Sequence, residues 1–343
     1  IMNEIQINKN YNLGKSQVNF YRKDINGLRA IAVIAVIINH ISDNFFQNGY
    51  LGVDIFFVIS GYVITSSLKK RKASNFYEFI AGFYERRIKR LIPALLLYVG
   101  VFSFLISLFN PNPDISLRTG FYSIFGLSNV YLYLSSSNYF ADNVLLNPFT
   151  QTWSLGVEEQ FYLIFPLIVW ITGFCKGDKK GNYYFNFIII CLSAVSLLFF
   201  VYFHSVNFNA TYYLMPSRFW EIAFGALLFL NEDKLRKSLF KKNNILTLIS
   251  FISLISIFVI PKIPILISIP ITIFFTCLLI GSIKQKNIFY KFLTNNMFMH
   301  IGNISYSLYL WHWGIIAITK WTIGISWWSI CIQLFFIYFF AVI

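Results

Sequence analysis

The chain has 343 residues, 57% of them hydrophobic and only 12% charged, with a formal net charge of +14. Soluble domains carry about a quarter charged residues, so a soluble fold is excluded and the sequence reads as a polytopic membrane protein. Its Lys and Arg residues gather in short loops between apolar runs, a topology signal rather than a nucleic-acid footprint, so no nucleic-acid partner is expected.

Residues 1–23 form a polar, asparagine-rich tail, expected to be cytoplasmic, and residues 24–343 form the transmembrane domain. No cleavable signal is visible, so the first apolar segment is expected to stay as an anchor. The chain starts at Ile1 and stops within the apolar run 335–343, as expected for a piece of a longer protein.

Apolar segments follow at 25–44, 50–68, 88–109, 119–134, 157–174, 185–203, 217–231, 244–260, 264–282, 303–319 and 326–343. The basic loops between them, Lys69 to Arg90, Lys176 to Lys180, Lys234 to Lys242 and Lys284 to Lys291, belong on the cytoplasmic side. They all fall there if 119–134, short and dotted with Ser, Tyr and Asn, does not cross. The expected fold is therefore all-α, with about ten transmembrane helices and one re-entrant or interfacial segment. Loops 44–50, 110–156, 204–216, 261–263 and 320–326 then face outward. Pro111-Asn-Pro113 and Pro261 to Pro264 mark loop turns, and Pro93 permits a bend in its helix.

Within the first span, Arg29 and His40 are eleven residues apart, about three helical turns, so with Val33 and Val36 they share one face over about 16 Å. An ionisable group inside a span is costly and marks a functional site. Asp54, Glu158 and Glu159 fall near the outer starts of other spans, at a depth similar to that of His40. A carboxylate accepting from one imidazole nitrogen raises the basicity of the other, which suits a general base. Arg86, Arg87 and Arg90 lie at i, i+3 and i+4 spacing and present a cationic face at the inner surface, where guanidinium forks suit phosphates. Arg218 and Glu221, at i,i+3, form an expected internal ion pair. His312, between Trp311 and Trp313, lines the same cavity or packs among aromatics. Cys175, Cys191, Cys277 and Cys331 lie apart and show neither metal nor disulfide spacing, so no metal is expected.

These residues fall in ordered motifs: Asp24-Ile-Asn-Gly-Leu-Arg29 with His40, Gly52-Val-Asp54 through Ser60-Gly-Tyr62, Arg86-Arg87-Ile-Lys-Arg90 with Pro93, Trp153-Ser-Leu-Gly-Val-Glu158-Glu159-Gln-Phe-Tyr162, Arg218-Phe-Trp-Glu221, and Ser305-Tyr-Ser-Leu-Tyr-Leu-Trp-His312. Together they resemble the acyltransferase family 3 membrane proteins, which O-acylate extracytoplasmic glycans, over about 24–343. Asn26 stands where many relatives carry aspartate. The resemblance is nearest to members that carry a further span and an external C-terminal SGNH-type domain. It implies a multi-pass bacterial inner-membrane enzyme with no permanently bound cofactor, an acyl-CoA co-substrate (usually acetyl-CoA), and a saccharide acceptor.

On that resemblance, Arg29, Arg86, Arg87 and Arg90 hold the CoA phosphates on the cytoplasmic side. The pantetheine arm, on the order of 15–20 Å, matches the Arg29–His40 rise of about 16 Å. His40 acts as base on the acceptor hydroxyl, oriented by Glu158 or Asp54, while Glu159, Trp153, Tyr62 and His312 line the substrate cavity. A transient acyl-histidine is the competing route. The acceptor stays open among lipopolysaccharide, capsule, exopolysaccharide, peptidoglycan and a secondary metabolite. The rival classes are a proton-coupled transporter or flippase of a glycan or lipid precursor, which lacks the inverted repeat it calls for, and a scaffold, which leaves His40 and Asp54 unexplained.

Overall fold

The computed structural model describes residues 22–42, 45–71, 73–110, 112–136, 146–238, 244–285 and 287–343. Residues 1–21 of the expected tail, residues 137–145 of the expected outer loop, and Lys72, Pro111, Lys241, Lys242 and Lys286 lie outside the described residues. Hydrocarbon offers no partner to a backbone N–H or C=O, so apolar runs close their hydrogen bonds internally as helices. The described residues are accordingly all-α, with no strand among them.

The helices are α1 (Lys23–Ile41), α2 (Gly52–Lys69), α3 (Phe76–Phe109), α4 (Asp114–Ile124), α5 (Ser128–Ser136), α6 (Thr152–Ile171), α7 (Lys179–Val206), α8 (Phe208–Tyr213), α9 (Met215–Ser238), α10 (Asn244–Val259), α11 (Ile265–Ser282), α12 (Ile288–Leu293), α13 (Asn296–Asn303), α14 (Ser305–Thr322) and α15 (Trp327–Val342). Six of them, α1, α2, α3, α6, α7 and α11, are long and apolar enough to cross a membrane, and α10 and α15 are shorter apolar helices. The protein is thus a polytopic membrane protein.

Each of the ten segments expected to cross corresponds to one of these helices, and 119–134 is divided. Helix α4 ends at Ile124, Gly126 turns the chain with a φ of +67°, and α5 starts at Ser128. Eleven and nine residues rise only about 16 and 14 Å, against a hydrocarbon core of about 30 Å. Helix α3 has 34 residues and runs unbroken through Pro93. Its length of about 51 Å carries one end beyond such a core. The Asn75 side chain caps that end by accepting from the Glu78 N–H at 2.8 Å.

Helix α2 packs lengthwise on α9, α9 on α7, and α1 against α2, α13 and α14. Small residues permit the α2–α9 approach. A Cβ on Gly61 would stand 1.8 Å from the Ile222 carbonyl oxygen, and one on Gly225 would stand 1.9 Å from that of Val58. The obstruction is backbone, which cannot rotate away. Gly225→Ala is therefore expected to force α2 and α9 apart and lose about 1–3 kcal/mol, read as a lower thermal midpoint of the detergent-solubilised protein.

At the start of α1 a polar clasp fixes which helix ends lie together. Arg22 donates to Asp24 Oδ1 (2.9 Å), the Tyr62 hydroxyl (3.0 Å), Glu232 Oε1 (3.0 Å) and the Ile280 carbonyl (2.7 Å). Tyr62 donates in turn to Glu232 Oε2 at 2.6 Å. The start of α1 thereby meets the later halves of α2, α9 and α11, and His40 is carried to the opposite end of α1. This corrects the expectation for Tyr62. Its hydroxyl belongs to the clasp, and it is not among the residues lining the cavity described below.

Candidate functional site

Helices α2, α3, α6 and α14, with Arg29 of α1 and the α4–α5 turn, enclose a cavity of about 500 Å³. All four arginines expected to act together, Arg29, Arg86, Arg87 and Arg90, line it, as do Glu158 and Glu159. The i, i+3 and i+4 spacing on α3 delivers its three guanidinium groups to one face. Arg87 stacks over the Tyr162 ring at 3.9 Å and over Phe83 at 4.8 Å. That stacking holds the guanidinium plane in place, and Arg87 Nε is buried with no hydrogen-bond partner.

Glu158 is fixed on both oxygens. Ser60 donates to Oε1 at 2.7 Å and the Tyr162 hydroxyl to Oε2 at 2.7 Å. Helix geometry explains the second contact, since residues four apart share a face. The expected pairing of Glu158 with His40 is therefore replaced by a Ser60–Glu158–Tyr162 triad on the cavity wall. The Tyr84 hydroxyl donates to the Tyr162 carbonyl at 3.0 Å and ties α3 to α6 beside it.

The imidazole partner of His40 is His312. His40 Nδ1 lies 2.9 Å from His312 Nε2, and the two rings are nearly parallel, 10° apart. His312 is wholly buried, whereas His40 is only partly so. His312 Nδ1 lies 2.6 Å from the Tyr309 carbonyl oxygen one helical turn earlier. The Trp313 ring meets His40 edge-on at 4.7 Å between centroids, and its indole N–H donates to the Asn147 carbonyl at 2.9 Å. Neither histidine is among the cavity-lining residues. Tyr309 joins the two features: it lines the cavity, and its ring lies 5.3 Å from that of His312. Its hydroxyl is held by Ser154 Oγ at 2.7 Å and the Gln151 carbonyl at 3.1 Å.

Asp54 takes a different position from the one expected. Its carboxylate accepts from Arg218 at 3.1 Å, and Arg218 also donates to Glu221 at 2.8 Å and to the Tyr212 carbonyl at 3.2 Å. The Arg218–Glu221 pair is present as expected, and Asp54 enlarges it to a triad joining α2 to α9. Trp153 packs its ring 5.5 Å from the Arg218 guanidinium and 4.6 Å from the Tyr212 ring, so its place is against this triad rather than on the cavity wall. Glu159 is on that wall.

Besides the Asp54–Arg218 link and the Arg22 clasp, two contacts at the candidate site escaped the sequence. One is the His40–His312 pair, for which the signal was two expensive imidazoles in an apolar chain, each needing a polar partner. The other is the hold of Ser60 and Tyr162 on Glu158, which short polar residues in a span do not announce.

Comparison with known proteins identifies the family of the chain. The model of the family described as "Acyltransferase domain" matches residues 22–343. O-acetyltransferase OatA of Staphylococcus aureus strain NCTC 8325 / PS 47 is 33% identical over 318 residues, covering 87% of this chain and 51% of the relative, and the protein of strain COL gives the same figures. SAS0844 of Staphylococcus aureus strain MSSA476 is 32% identical over 329 residues, or 91% of this chain and 53% of that one. The chain spans about half the length of the curated relatives it matches. No solved structure matches it. With the family match running from just before α1 to the last residue, and a third of its aligned positions shared with O-acetyltransferases, the chain belongs to the acyltransferase family 3.

Proposed function

We propose that the protein transfers an acetyl group from cytoplasmic acetyl-CoA, across the bacterial inner membrane, to a hydroxyl of an extracytoplasmic saccharide of the cell envelope. The observation that carries this reading is four arginines lining one cavity, with an imidazole pair joined to it through Tyr309. Guanidinium groups match the phosphates of CoA, and the stacked Arg87, with a buried unpartnered Nε, is a donor prepared for an anionic ligand. Placing the arginines at the cytoplasmic face, with the N-terminus inside, agrees with the basic loops. His40 is the base that takes the acceptor hydroxyl proton, and Tyr309 lies at the junction between the donor cavity and the histidines. The O-acetyltransferase name of the matched relatives supports acetyl as the group and oxygen as its acceptor.

The test uses inverted membrane vesicles carrying the protein, given radiolabelled acetyl-CoA on the exposed cytoplasmic face. The expected result is label in alkali-labile ester linkage on envelope saccharide, with free CoA released in step. Glycan or proton flux without acetyl-CoA consumption would sink the reading in favour of a transporter. Mass spectrometry of the labelled product identifies the acceptor. A second expectation concerns the donor side. Arg87→Ala removes both the stacked plane and its donors, and is expected to raise KM for acetyl-CoA about tenfold to a hundredfold, by analogy with other charged hydrogen bonds, in the same vesicle assay.

A further inference from the structure

The hydrogen-bond chain behind the cavity has a direction. A backbone carbonyl only accepts, so the 2.6 Å contact between the Tyr309 oxygen and His312 Nδ1 requires the proton on that nitrogen. A neutral imidazole carries one N–H, which leaves His312 Nε2 as an acceptor. The 2.9 Å contact from that atom to His40 Nδ1 then requires the proton on His40 Nδ1. By elimination, the lone pair of His40 is on Nε2.

We infer that His312 is a positioning residue that sets His40 in its Nδ1–H tautomer and so makes Nε2 the atom that takes the acceptor proton. The assignment rests on the proposed function for the step itself, but the tautomer follows from the contact geometry of two neutral rings, without reference to the reaction. His312 is suited to the task by complete burial, which keeps water from competing for Nε2. Trp313, held by Asn147, stands edge-on to the His40 ring and hinders the flip that would exchange Nδ1 for a carbon. Tyr309 supplies the carbonyl that starts the chain, so one residue contributes a wall of the donor cavity and the orientation of the base.

The step balances as follows. The acceptor O–H proton passes to His40 Nε2 as the hydroxyl oxygen forms a bond to the thioester carbonyl carbon. The C–S bond breaks, and the departing thiolate takes the proton from Nε2. A saccharide ester and free CoA result, and His40 returns to its Nδ1–H form. While His40 carries the extra proton, its Nδ1–H bond to His312 is charge-assisted and therefore stronger, so the pair favours the transition state over the ground state.

Two measurements test this assignment. In the first, nitrogen NMR of isotope-labelled histidine in the solubilised protein distinguishes protonated from unprotonated ring nitrogens. The protein has four histidines, so single substitutions assign each signal. The expected spectrum has His40 protonated at Nδ1 and bare at Nε2; the opposite tautomer overturns the proposal. In the second, His312→Gln offers a side-chain oxygen that can accept from His40 Nδ1, and His312→Phe offers none. The Phe variant is expected to lose at least about 100-fold in kcat, within the range for a general base, with KM for acetyl-CoA unchanged. The Gln variant is expected to recover to within about tenfold of the parent. An active Phe variant, or a folded Gln variant as slow as Phe, overturns the assignment. A fully active His40→Ala protein would sink the base reading beneath it, which the tautomer measurement separates because it needs no turnover.

Discussion

His40→Ala is expected to reduce acetyl transfer by about 10²–10⁴-fold, the usual contribution of a positioned general base. The loss should fall on kcat. The four arginines form a cavity whose lining does not include His40, so donor binding survives the substitution and KM for acetyl-CoA stays near the parent value. A structural role would give a different pattern, with a protein that fails to accumulate and no separation of kcat from KM. Alanine does leave His312 Nε2 without its donor. A buried acceptor stripped of its partner costs about 1–3 kcal/mol, so a modest fall in thermal midpoint is expected alongside the catalytic defect. Vesicle turnover measured with the thermal midpoint of the same preparation separates the two effects. Parent-level turnover would remove His40 from the chemistry.

Most of this arrangement was legible in the sequence because lipid makes the rules severe. Apolar runs must be helices, and the cost of a charge in a span picks out His40, Asp54, Glu158 and Arg218 without any structure. Charge topology singles out 119–134 as a segment that does not cross, and the structure divides it into two short helices at the Gly126 turn. Pairing was the part that spacing could not supply. Arg218 and Glu221 are i,i+3 and could be read directly, whereas Asp54 reaches Arg218 across 164 positions and His312 reaches His40 across 272. A helical face says which side chains share a direction but not which other helix meets that face. Spacing therefore offers Asp54 and Glu158 as alternative partners of His40, whereas the first meets Arg218 and the second meets Ser60 and Tyr162. Tyr62 and Trp153 were drawn into the cavity by membership of a motif, and both hold helices together instead.

Arg218→Leu is expected to have the largest effect on the fold. Arg218 is 2% exposed, Asp54 3% and Glu221 0%, so removing the guanidinium strands two carboxylates among apolar helices. Breaking a buried ion pair from one side costs about 3–5 kcal/mol, a large share of the 5–15 kcal/mol that stabilises a typical domain. The variant should be nearly absent from membranes when quantified by fluorescence-detected size-exclusion chromatography. Arg218→Lys should recover little, because an ammonium cannot reproduce planar donation to Asp54, Glu221 and the Tyr212 carbonyl together. Asp54→Asn tests the other side of the same argument. The amide keeps an oxygen for the Arg218 donor while Glu221 still balances the charge, so accumulation is expected to stay within about twofold, since a neutral hydrogen bond is weaker than a charged one by only about 1 kcal/mol. Turnover per folded molecule should then match the parent, because Asp54 meets Arg218 and His40 meets His312. If Asp54→Asn folds but loses turnover as completely as His40→Ala, the carboxylate acts in the chemistry and the division between an ion triad that locks α2 to α9 and an imidazole pair that handles the proton is wrong.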